Sequence, residues 1–366
     1  MELNRLIGRT RQLFTAGLII AFSSMAAVPV AHGSNLLLAT YYGNQGFNMQ
    51  QVRDMEAWQG KKNAAIMLFQ SFCSNSMTNL FGTQLPAIWA NKNVPLITWE
   101  PYLCDASSTP SDIEARIANG QYDSYVKAFA DNMRRFLAGP DGVLGTGDDR
   151  RVFIRLAHEM NGTWYPWSGS PAQYIGMWHR VHQIFDARGL GSRYVQWMWV
   201  PNVGDVGSYT AEQYYPGDAY VNWVGTDGYN SYTTGVWKTP AQRFDAMLAR
   251  LAKLTTRPIA IAEYGALSYT STGTSVSTKN SWITSLFSYA SSKPNVHMLC
   301  YYNRDSSSSK DWAVFGGGRG DTSYSISGRT YKVYTGYRTG ARQTNVFATS
   351  TTNSRLLSDG QFVGSF

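Results

Sequence analysis

The sequence has little charge and few cysteines for its length. Asp, Glu, Lys and Arg together make up 15% of its 366 residues, and three residues are Cys. Three cysteines exclude a small scaffold built on disulfides, and a hydrophobic content of 43% excludes an intrinsically disordered chain. The surface must therefore consist largely of uncharged polar groups. With 14% aromatic residues, such a surface suits neutral, hydroxyl-rich ligands.

The sequence also lacks a dense run of basic residues. The formal net charge is +8, but Lys and Arg are scattered, with short pairs such as Arg134-Arg135 and Arg150-Arg151. A nucleic-acid-binding surface normally needs a clustered basic patch. We therefore expect no nucleic-acid partner.

The longest apolar run lies near the amino terminus. Leu13–Phe22 follows three Arg residues and precedes small residues up to Gly33. This layout is typical of a secretory signal peptide, here residues 1–33. The alternative is a membrane anchor, but the run is too short for a spanning helix. We expect a secreted protein, extracellular or periplasmic, that has no membrane partner after cleavage and acts as a monomer.

Eight short apolar runs alternate with segments of helical character after residue 33. Strands that alternate with helices and are buried on both faces predict a (β/α)8 TIM barrel. A doubly wound open sheet is the alternative, but no glycine-rich phosphate loop follows the first run. We predict a barrel over residues 34–315 and a short irregular or β-rich tail over residues 316–366. The predicted strands are Leu36–Ala39, Ala64–Phe69, Pro95–Trp99, Val152–Leu156, Val195–Val200, Trp223–Thr226, Pro258–Ala262 and His297–Tyr302.

Two glutamates stand at the ends of predicted strands. Glu159 follows the fourth strand and Glu263 follows the seventh. Catalytic groups of such barrels lie at the carboxyl ends of the strands, so we expect both carboxylates at one rim. Two carboxylates facing one cleft are the minimum needed to cleave a glycosidic bond, one as proton donor and the other as anion. Either glutamate taken alone would more commonly be a solvated or salt-bridged surface residue.

The residues around the two glutamates carry a family resemblance. Residues 158–167 read His-Glu-Met-Asn-Gly-Thr-Trp-Tyr-Pro-Trp, and residues 261–265 read Ile-Ala-Glu-Tyr-Gly. The first stretch resembles the acid/base motif of the family-26 glycoside hydrolases, and the second resembles their nucleophile motif. The resemblance spans residues 36 to about 315. It implies a retaining (β/α)8 enzyme acting on β-1,4-linked polysaccharide, since the family contains mainly β-mannanases, with some β-glucanases and xylanases.

The resemblance implies a role for each matching residue. Glu159 would be the acid/base and Glu263 the nucleophile of an endo-acting β-1,4-mannanase. Arg155 would hold the nucleophile, and Tyr229 would donate a hydrogen bond to it. The remaining residues would bind the sugar chain: His158 near the reaction centre, Trp164 and Trp167 as platforms along the cleft, and Tyr302 beneath the reacting sugar.

Tyr302 departs from the family pattern. Many mannanases of the family have a Trp in this place, and Tyr is smaller and adds a hydroxyl. The departure leaves other substrates open, namely β-1,3/1,4-glucan, xylan or another exopolysaccharide. A further alternative is a carbohydrate-binding barrel without turnover, but both glutamates and their supporting residues argue against it.

Two patterns resemble metal sites, but we predict neither a metal nor another cofactor. His179 and His182 are one turn apart on a predicted helix, with no third ligand nearby. The loop Asp141–Asp149 carries several carboxylates but lacks EF-hand spacing, which favours a plain turn.

The three cysteines divide into a possible pair and a single residue. Cys73 and Cys104 each follow a predicted strand and could form a disulfide at one rim of the barrel. Cys300 lies within an apolar strand, and we expect it to be a buried free thiol.

Overall fold

The computed structural model describes residues 36–43, 46–232, 237–270, 273–346 and 358–366, so the predicted signal peptide lies outside the described residues. Eight parallel strands pair in chain order, and the eighth pairs with the first to close a barrel. This confirms the predicted (β/α)8 fold. The barrel strands are β1 (Leu37–Tyr41), β2 (Ala65–Ser71), β3 (Val94–Glu100), β4 (Val152–Leu156), β5 (Val195–Trp199), β6 (Trp223–Asn230), β7 (Ile259–Ala266) and β8 (Val296–Tyr302).

The alternation of side chains along each strand decides which residues point into the barrel. In β4, Val152, Ile154 and Leu156 pack in the large apolar cluster outside the sheet, whereas Phe153 belongs to the smaller cluster inside it. Arg155 lies two residues after Phe153 and therefore points to the same face of the strand, and its side chain is completely buried. The strand pattern therefore places a cation in the middle of the barrel.

Helices surround the barrel, and two of the longest begin at matched caps. Ser170 accepts a hydrogen bond from Gln173 N, and Thr239 forms a capping box with Gln242. A proline follows each cap at the first helical position, where a backbone N–H would have no acceptor within the helix. No helix within the described ranges has both the length and the apolar character needed to cross a bilayer. The helices are α1 (Met49–Gln59), α2 (Ser74–Asn79), α3 (Leu85–Ala90), α4 (Ile113–Ala118), α5 (Asp123–Leu137), α6 (Pro171–Asp186), α7 (Pro240–Leu254), α8 (Val276–Ser291), α9 (Thr335–Ala341) and α10 (Asp359–Phe362), with a π-helical turn at Leu80–Gln84 and a 3-10 turn at Ala211–Tyr214.

The segment after β8 contains the β-rich tail that the sequence predicts. Its strands β9 (Phe315–Gly317), β10 (Thr322–Ile326) and β11 (Arg329–Val333) form a small antiparallel sheet with β11 in the middle. The same segment supplies a helix that sequence analysis did not locate. Helix α9 packs against α8 and α1 and thus occupies the place of the last barrel helix.

The carboxyl-terminal residues close the barrel at the amino ends of its strands. Phe362 is buried in the inner cluster together with Phe153 and Trp223, and its carbonyl accepts a hydrogen bond from the Trp223 indole at 3.2 Å. Arg151, just before β4, pairs with Asp359. The carboxyl ends of the strands lie at the opposite rim.

Candidate active site

Glu159 leaves β4 through a strained turn. The backbone φ is 48° at Ala157 and 53° at Glu159, a left-handed conformation that costs non-glycine residues about 1–2 kcal/mol each. Neighbouring strands enforce the turn, because Ala157 N donates to Trp99 O at 2.9 Å and Glu159 N donates to Val200 O at 2.8 Å. Strain of this kind persists only where the surroundings impose it. Here it brings the Glu159 carboxyl to the mouth of the barrel.

A β-bulge in β7 aims Glu263 into the barrel. Both neighbouring strands pair with Ile261 and then skip one extra residue of β7 before pairing resumes. Ala262 lies in the inner apolar cluster, and Glu263, the next residue, also faces the interior. A regular strand would turn one of them outward, so the bulge re-aims the carboxylate.

Arg155 joins Glu263 to a second carboxyl group. Its guanidinium donates to Glu263 Oε1, to Asp227 Oδ2 at 2.8 Å and, through Nε, to Thr98 Oγ1 at 2.9 Å. Tyr229 donates its phenol hydrogen to Glu263 Oε2. Each oxygen of Glu263 thus accepts a hydrogen bond, an arrangement that stabilises the carboxylate anion. Burial raises the pKa of Asp227 well above its usual range.

Glu159 has a different environment. Its Oε1 accepts a hydrogen bond from Asn202 Nδ2 at 3.0 Å, and its Oε2 accepts one from Trp164 Nε1 at 2.8 Å. Burial, followed by the negative charge of Glu263, raises the pKa of Glu159 to about 7. The two carboxyl groups therefore differ in their surroundings, because Glu263 accepts a hydrogen bond from a guanidinium, whereas both donors to Glu159 are neutral.

The rings of His158, Tyr165 and Trp167 pack together beside Glu159. The Tyr165 hydroxyl lies 3.0 Å from His158 Nε2, and the Tyr165 ring stacks on Trp167 with centroids 4.4 Å apart. Burial lowers the pKa of His158 well below its usual range, so the imidazole is neutral. The prediction that Trp167 is a sugar platform is wrong, because its ring is 0% exposed and its indole donates to the His158 carbonyl at 2.8 Å. Tyr165 lines the cavity, whereas Trp167 does not.

Glu159 and Glu263 line one cavity of about 310 Å³ at the carboxyl ends of the strands. The sequence-predicted residues His158, Tyr229 and Tyr302 line it with them, and Arg155 lies buried among the inner residues of the barrel. Trp164 borders a neighbouring cavity. The structure adds four lining residues to which sequence analysis gave no role: Phe69, Tyr165, Ser306 and Trp312.

Some of the missed residues left a signal in the sequence and others did not. Asn202 follows the carboxyl end of β5, so the rule that located the two glutamates also applied to it. Trp312 packs edge-on against Tyr229, with centroids 4.9 Å apart, although it lies ten residues beyond Tyr302 in the chain. Phe69 belongs to the apolar run of β2, where nothing in the sequence distinguishes it from its neighbours.

One group of three potential metal ligands occurs within the part of the chain that the structure describes. Candidate ligand atoms of His158, Asp227 and Glu263 all lie within 4.8 Å of one another. Arg155 donates to both Asp227 and Glu263, so its guanidinium supplies positive charge between these two carboxyl groups. His179 Nε2 instead contacts the Pro216 carbonyl at 2.9 Å.

Cys73 and Cys104 form a disulfide, and Cys300 is a buried free thiol, which confirms both predictions. Cys73 follows β2 and Cys104 follows β3. The bridge therefore ties two loops together at the same rim as the cavity lined by Glu159 and Glu263.

Three comparisons place this chain among known proteins. Residues 146–292 match the model of Glycosyl hydrolase family 26. Over 248 residues, or 64% of the chain, it is 28% identical to Endoglucanase H of Acetivibrio thermocellus, of whose own length the match covers 24%. The chain thus spans about a quarter of that relative.

Solved structures share the fold. The catalytic domain of a GH26 endo-β-1,4-mannanase from Bacillus sp. JAMB-750 superposes with a TM-score of 0.61 at 17% identity, covering 85% of this chain and 87% of that one. A GH26 β-mannanase from Bacteroides ovatus gives a TM-score of 0.58 at 16% identity, covering 88% and 92%. The family-model match over residues 146–292 and the shared barrel fold confirm the predicted resemblance to the family-26 glycoside hydrolases.

Proposed function

We propose that this chain is a secreted, endo-acting, retaining β-glycoside hydrolase and that β-1,4-mannan is its first candidate substrate. The division of labour between two carboxyl groups in one cavity supports this most directly. The pKa of Glu159 is raised to about 7, whereas Glu263 accepts hydrogen bonds from Arg155 and Tyr229. Double displacement needs one protonated and one ionised carboxyl group.

Each carboxyl group has a defined part in the reaction. In the first step Glu263 attacks the anomeric carbon while Glu159 gives its proton to the leaving oxygen, so an ester forms as the glycosidic bond breaks. In the second step the Glu159 anion takes a proton from water, which attacks the anomeric carbon and releases Glu263. Two inversions at one carbon leave the configuration unchanged.

The resemblance to the nucleophile motif supports retention over inversion, and Glu263 is held and affects Glu159 as follows. Both of its oxygens already accept protein hydrogen bonds, and its charge acts strongly enough on Glu159 to raise that group's pKa. Retaining enzymes hold their two carboxyl groups about 5–5.5 Å apart. An inverting enzyme needs about 6.5–9.5 Å to fit a water.

Two substrates deserve comparison. The motif resemblance supports β-1,4-mannan, because the family contains mainly β-mannanases. β-Glucan is the second candidate, since the sequence relative is named an endoglucanase and Tyr302 stands where many mannanases of the family have a Trp.

The test is reducing-sugar release from mannan, mixed-linkage β-glucan and xylan by the wild type, Glu159→Ala and Glu263→Ala. We expect the wild type to cleave one of the first two, with mannan first, and both variants to lose this activity. Proton NMR of the first product should show the β anomer. A first product in the α form would overturn retention, and inactivity on all three would favour a binding protein or an unusual polysaccharide.

The proposal includes export and a monomeric state. Export is supported by the composition of residues 1–33. Amino-terminal sequencing of protein recovered from a secreting host would test cleavage after Gly33, and sedimentation velocity would test the monomer.

A further inference from the structure

Residues 311–313, between β8 and β9, present three consecutive backbone carbonyls to one buried side chain. The ammonium of Lys279, on α8, donates to all three, at 3.1 Å for Trp312 and at 2.9 Å for Ala313. A lysine ammonium has three N–H donors, so the donors match the carbonyls in number. The segment belongs to no helix or strand, and buried carbonyls outside secondary structure need donors from elsewhere.

The side chain of Asp311 ties the same segment to two other elements. Its Oδ1 accepts a hydrogen bond from Ser268 N, just after β7, at 3.0 Å. Its Oδ2 accepts one from the Tyr334 hydroxyl, just before α9, at 3.1 Å. The Tyr301 hydroxyl, on β8, donates to the Trp312 carbonyl at 2.7 Å. The segment is therefore held from several directions, with Lys279 making the largest number of these bonds.

A lysine at position 279 is unfavourable in two ways. Its side chain is completely buried, and burial disfavours the charged form of an amine. Lys279 also lies in the first turn of α8, where the helix dipole opposes a positive charge. The Asp311 carboxylate, 3.9 Å from the ammonium, and the Tyr334 ring, 4.2 Å from it, offset part of these costs. A residue that violates local preferences in this way points to a requirement of the site.

Trp312, at the centre of the segment, links Lys279 to the catalytic cavity. The Trp312 ring lines this cavity and packs edge-on against Tyr229, with centroids 4.9 Å apart. Tyr229 in turn donates its phenol hydrogen to Glu263. A Cβ at Gly265 would lie 3.3 Å from atoms of both rings, so both rings pack on the backbone of β7. A displaced Trp312 would therefore remove one support of Tyr229 and of its hydrogen bond to Glu263.

We propose that Lys279 is a positioning residue for the hydrolysis, because it fixes the backbone of Trp312 and the Trp312 ring then holds Tyr229 against Glu263. The inference rests on the proposed function, in which Glu263 is the nucleophile. Lys279 is not among the residues that line the cavity, so it acts through Trp312. The segment after β8 thereby takes part in the reaction.

The test is a double-mutant cycle on Lys279 and Trp312, with initial rates on whichever polysaccharide the wild type cleaves. Rates are measured at pH 6, because burial lowers the pKa of Lys279 to about 7 and the ammonium is charged below that value. Lys279→Met should lower kcat about tenfold and change KM less, as expected when reacting groups are misplaced. Trp312→Ala should lower kcat at least as much. Adding Lys279→Met to Trp312→Ala should cost less than about twofold more, because the route through the ring is already lost.

Phe362→Ala is the matched control, since Phe362 is also buried but lies at the other end of the barrel. It should keep the wild-type kcat, which separates a loss of stability from a loss of position. Lys279→Gln is the second variant if Lys279→Met does not fold, because its amide still donates two hydrogen bonds. Thermal unfolding verifies that each variant is folded.

Two kinetic results would overturn the positioning role. One is a wild-type kcat in a folded Lys279 variant. The other is a loss that is equally large with and without the Trp312 ring, since Lys279 would then act by another route.

Hydrogen exchange tests the same role without turnover. The Ala313 amide donates to Asp305 Oδ1 at 2.8 Å, and the Val314 amide donates to Asn303 Oδ1 at 2.8 Å. Both amides should exchange faster in Lys279→Met than in the wild type, and unchanged exchange would contradict the proposal. A wild type that cleaves no glycan would overturn the proposed function instead, whereas the exchange rates would still decide whether Lys279 holds the segment.

Discussion

Arg155 and Glu263 form a buried ion pair at the centre of the barrel. The same guanidinium also donates to Asp227, so one cation serves two carboxyl groups. Removing it would leave both groups buried without their partner, which costs about 3–5 kcal/mol of stability. We expect Arg155→Met to lower kcat by roughly a hundredfold or more, as when a fixed electrostatic donor is removed from an active site. Initial rates on the polysaccharide and urea unfolding measure both effects.

Arg155→Lys and Arg180→Met are the controls for this prediction. Lysine keeps the charge but cannot donate to two carboxylates with the geometry of the guanidinium fork, so partial activity is expected. Arg180 pairs with Asp123 near the surface, and its removal should leave kcat unchanged. An Arg155→Met enzyme with wild-type kcat would show that Glu263 does not depend on this ion pair.

The raised pKa of Glu159 predicts the alkaline limit of activity. A carboxyl group with a pKa of about 7 is protonated below that pH and loses its proton above it. Bond cleavage needs the protonated form, so kcat/KM should fall about tenfold per pH unit above pH 7. Glu159→Gln should lose this limb on an aryl glycoside whose leaving group needs no proton. The limb would belong to another group if it persisted in that variant.

Asn202 should control the position of this alkaline limb. Its side chain donates to Glu159 at 3.0 Å and thereby favours the ionised form, which opposes the rise in pKa. Removing the donor in Asn202→Ala should raise the pKa of Glu159, by about one unit if the bond is worth about 1.4 kcal/mol. The midpoint of the pH–rate profile should move to higher pH. Trp164→Phe, which removes the other donor to Glu159, should move it in the same direction, and a shift to lower pH in either variant would refute the assignment.

The strand ends were the predictable part of this site. Continuous apolar runs identify buried parallel strands, and the residue after such a run must reach the catalytic rim. This reasoning located Glu159 and Glu263. It could not show the β-bulge that aims Glu263 inward, because a bulge depends on pairing with two other strands and leaves no residue pattern of its own.

Burial of aromatic rings and the last barrel helix were the unpredictable part. Trp164 and Trp167 are identical in type and three residues apart, yet one is exposed and the other buried, because the turn between them folds Trp167 under Tyr165. Helix α9 contains Gly336 and Gly340, which lower helix propensity. Tertiary packing selects them, since a Cβ at Gly340 would lie 2.0 Å from Phe287.

Lys279 should give the stability of this protein a distinctive pH dependence. Its ammonium donates to the backbone carbonyls of Asp311, Trp312 and Ala313, and burial lowers its pKa to about 7 from a usual value of 10.5. At pH values between about 7 and 10.5, Lys279 holds a proton in the unfolded chain more often than in the folded chain. The free energy of unfolding therefore rises with pH over this range. Lys279→Met should lack this contribution.

Urea unfolding at several pH values tests the Lys279 prediction. The free energy of unfolding of the wild type minus that of Lys279→Met should grow between pH 7 and about pH 10. Lys253→Met is the control, because Lys253 is exposed at the end of α7. A difference for Lys279→Met that stays constant with pH would contradict the burial of a titrating ammonium.

Phe362 should matter for stability and not for catalysis. It is buried between Phe153 and Trp223 at the amino ends of the strands, the end of the barrel opposite the catalytic cavity. Truncation of a buried Phe to Ala costs about 3–5 kcal/mol through lost burial and the cavity left behind. Phe362→Ala should therefore lower the free energy of unfolding by that amount and leave kcat/KM at a permissive temperature unchanged.

The neighbouring Val363 is 44% exposed, so Val363→Ala should change neither quantity. If both variants unfolded at the same urea concentration, the carboxyl-terminal residues would not close the barrel in solution. A loss of kcat/KM in Phe362→Ala alone would show that packing at this end is transmitted through the barrel to Arg155 and Glu263.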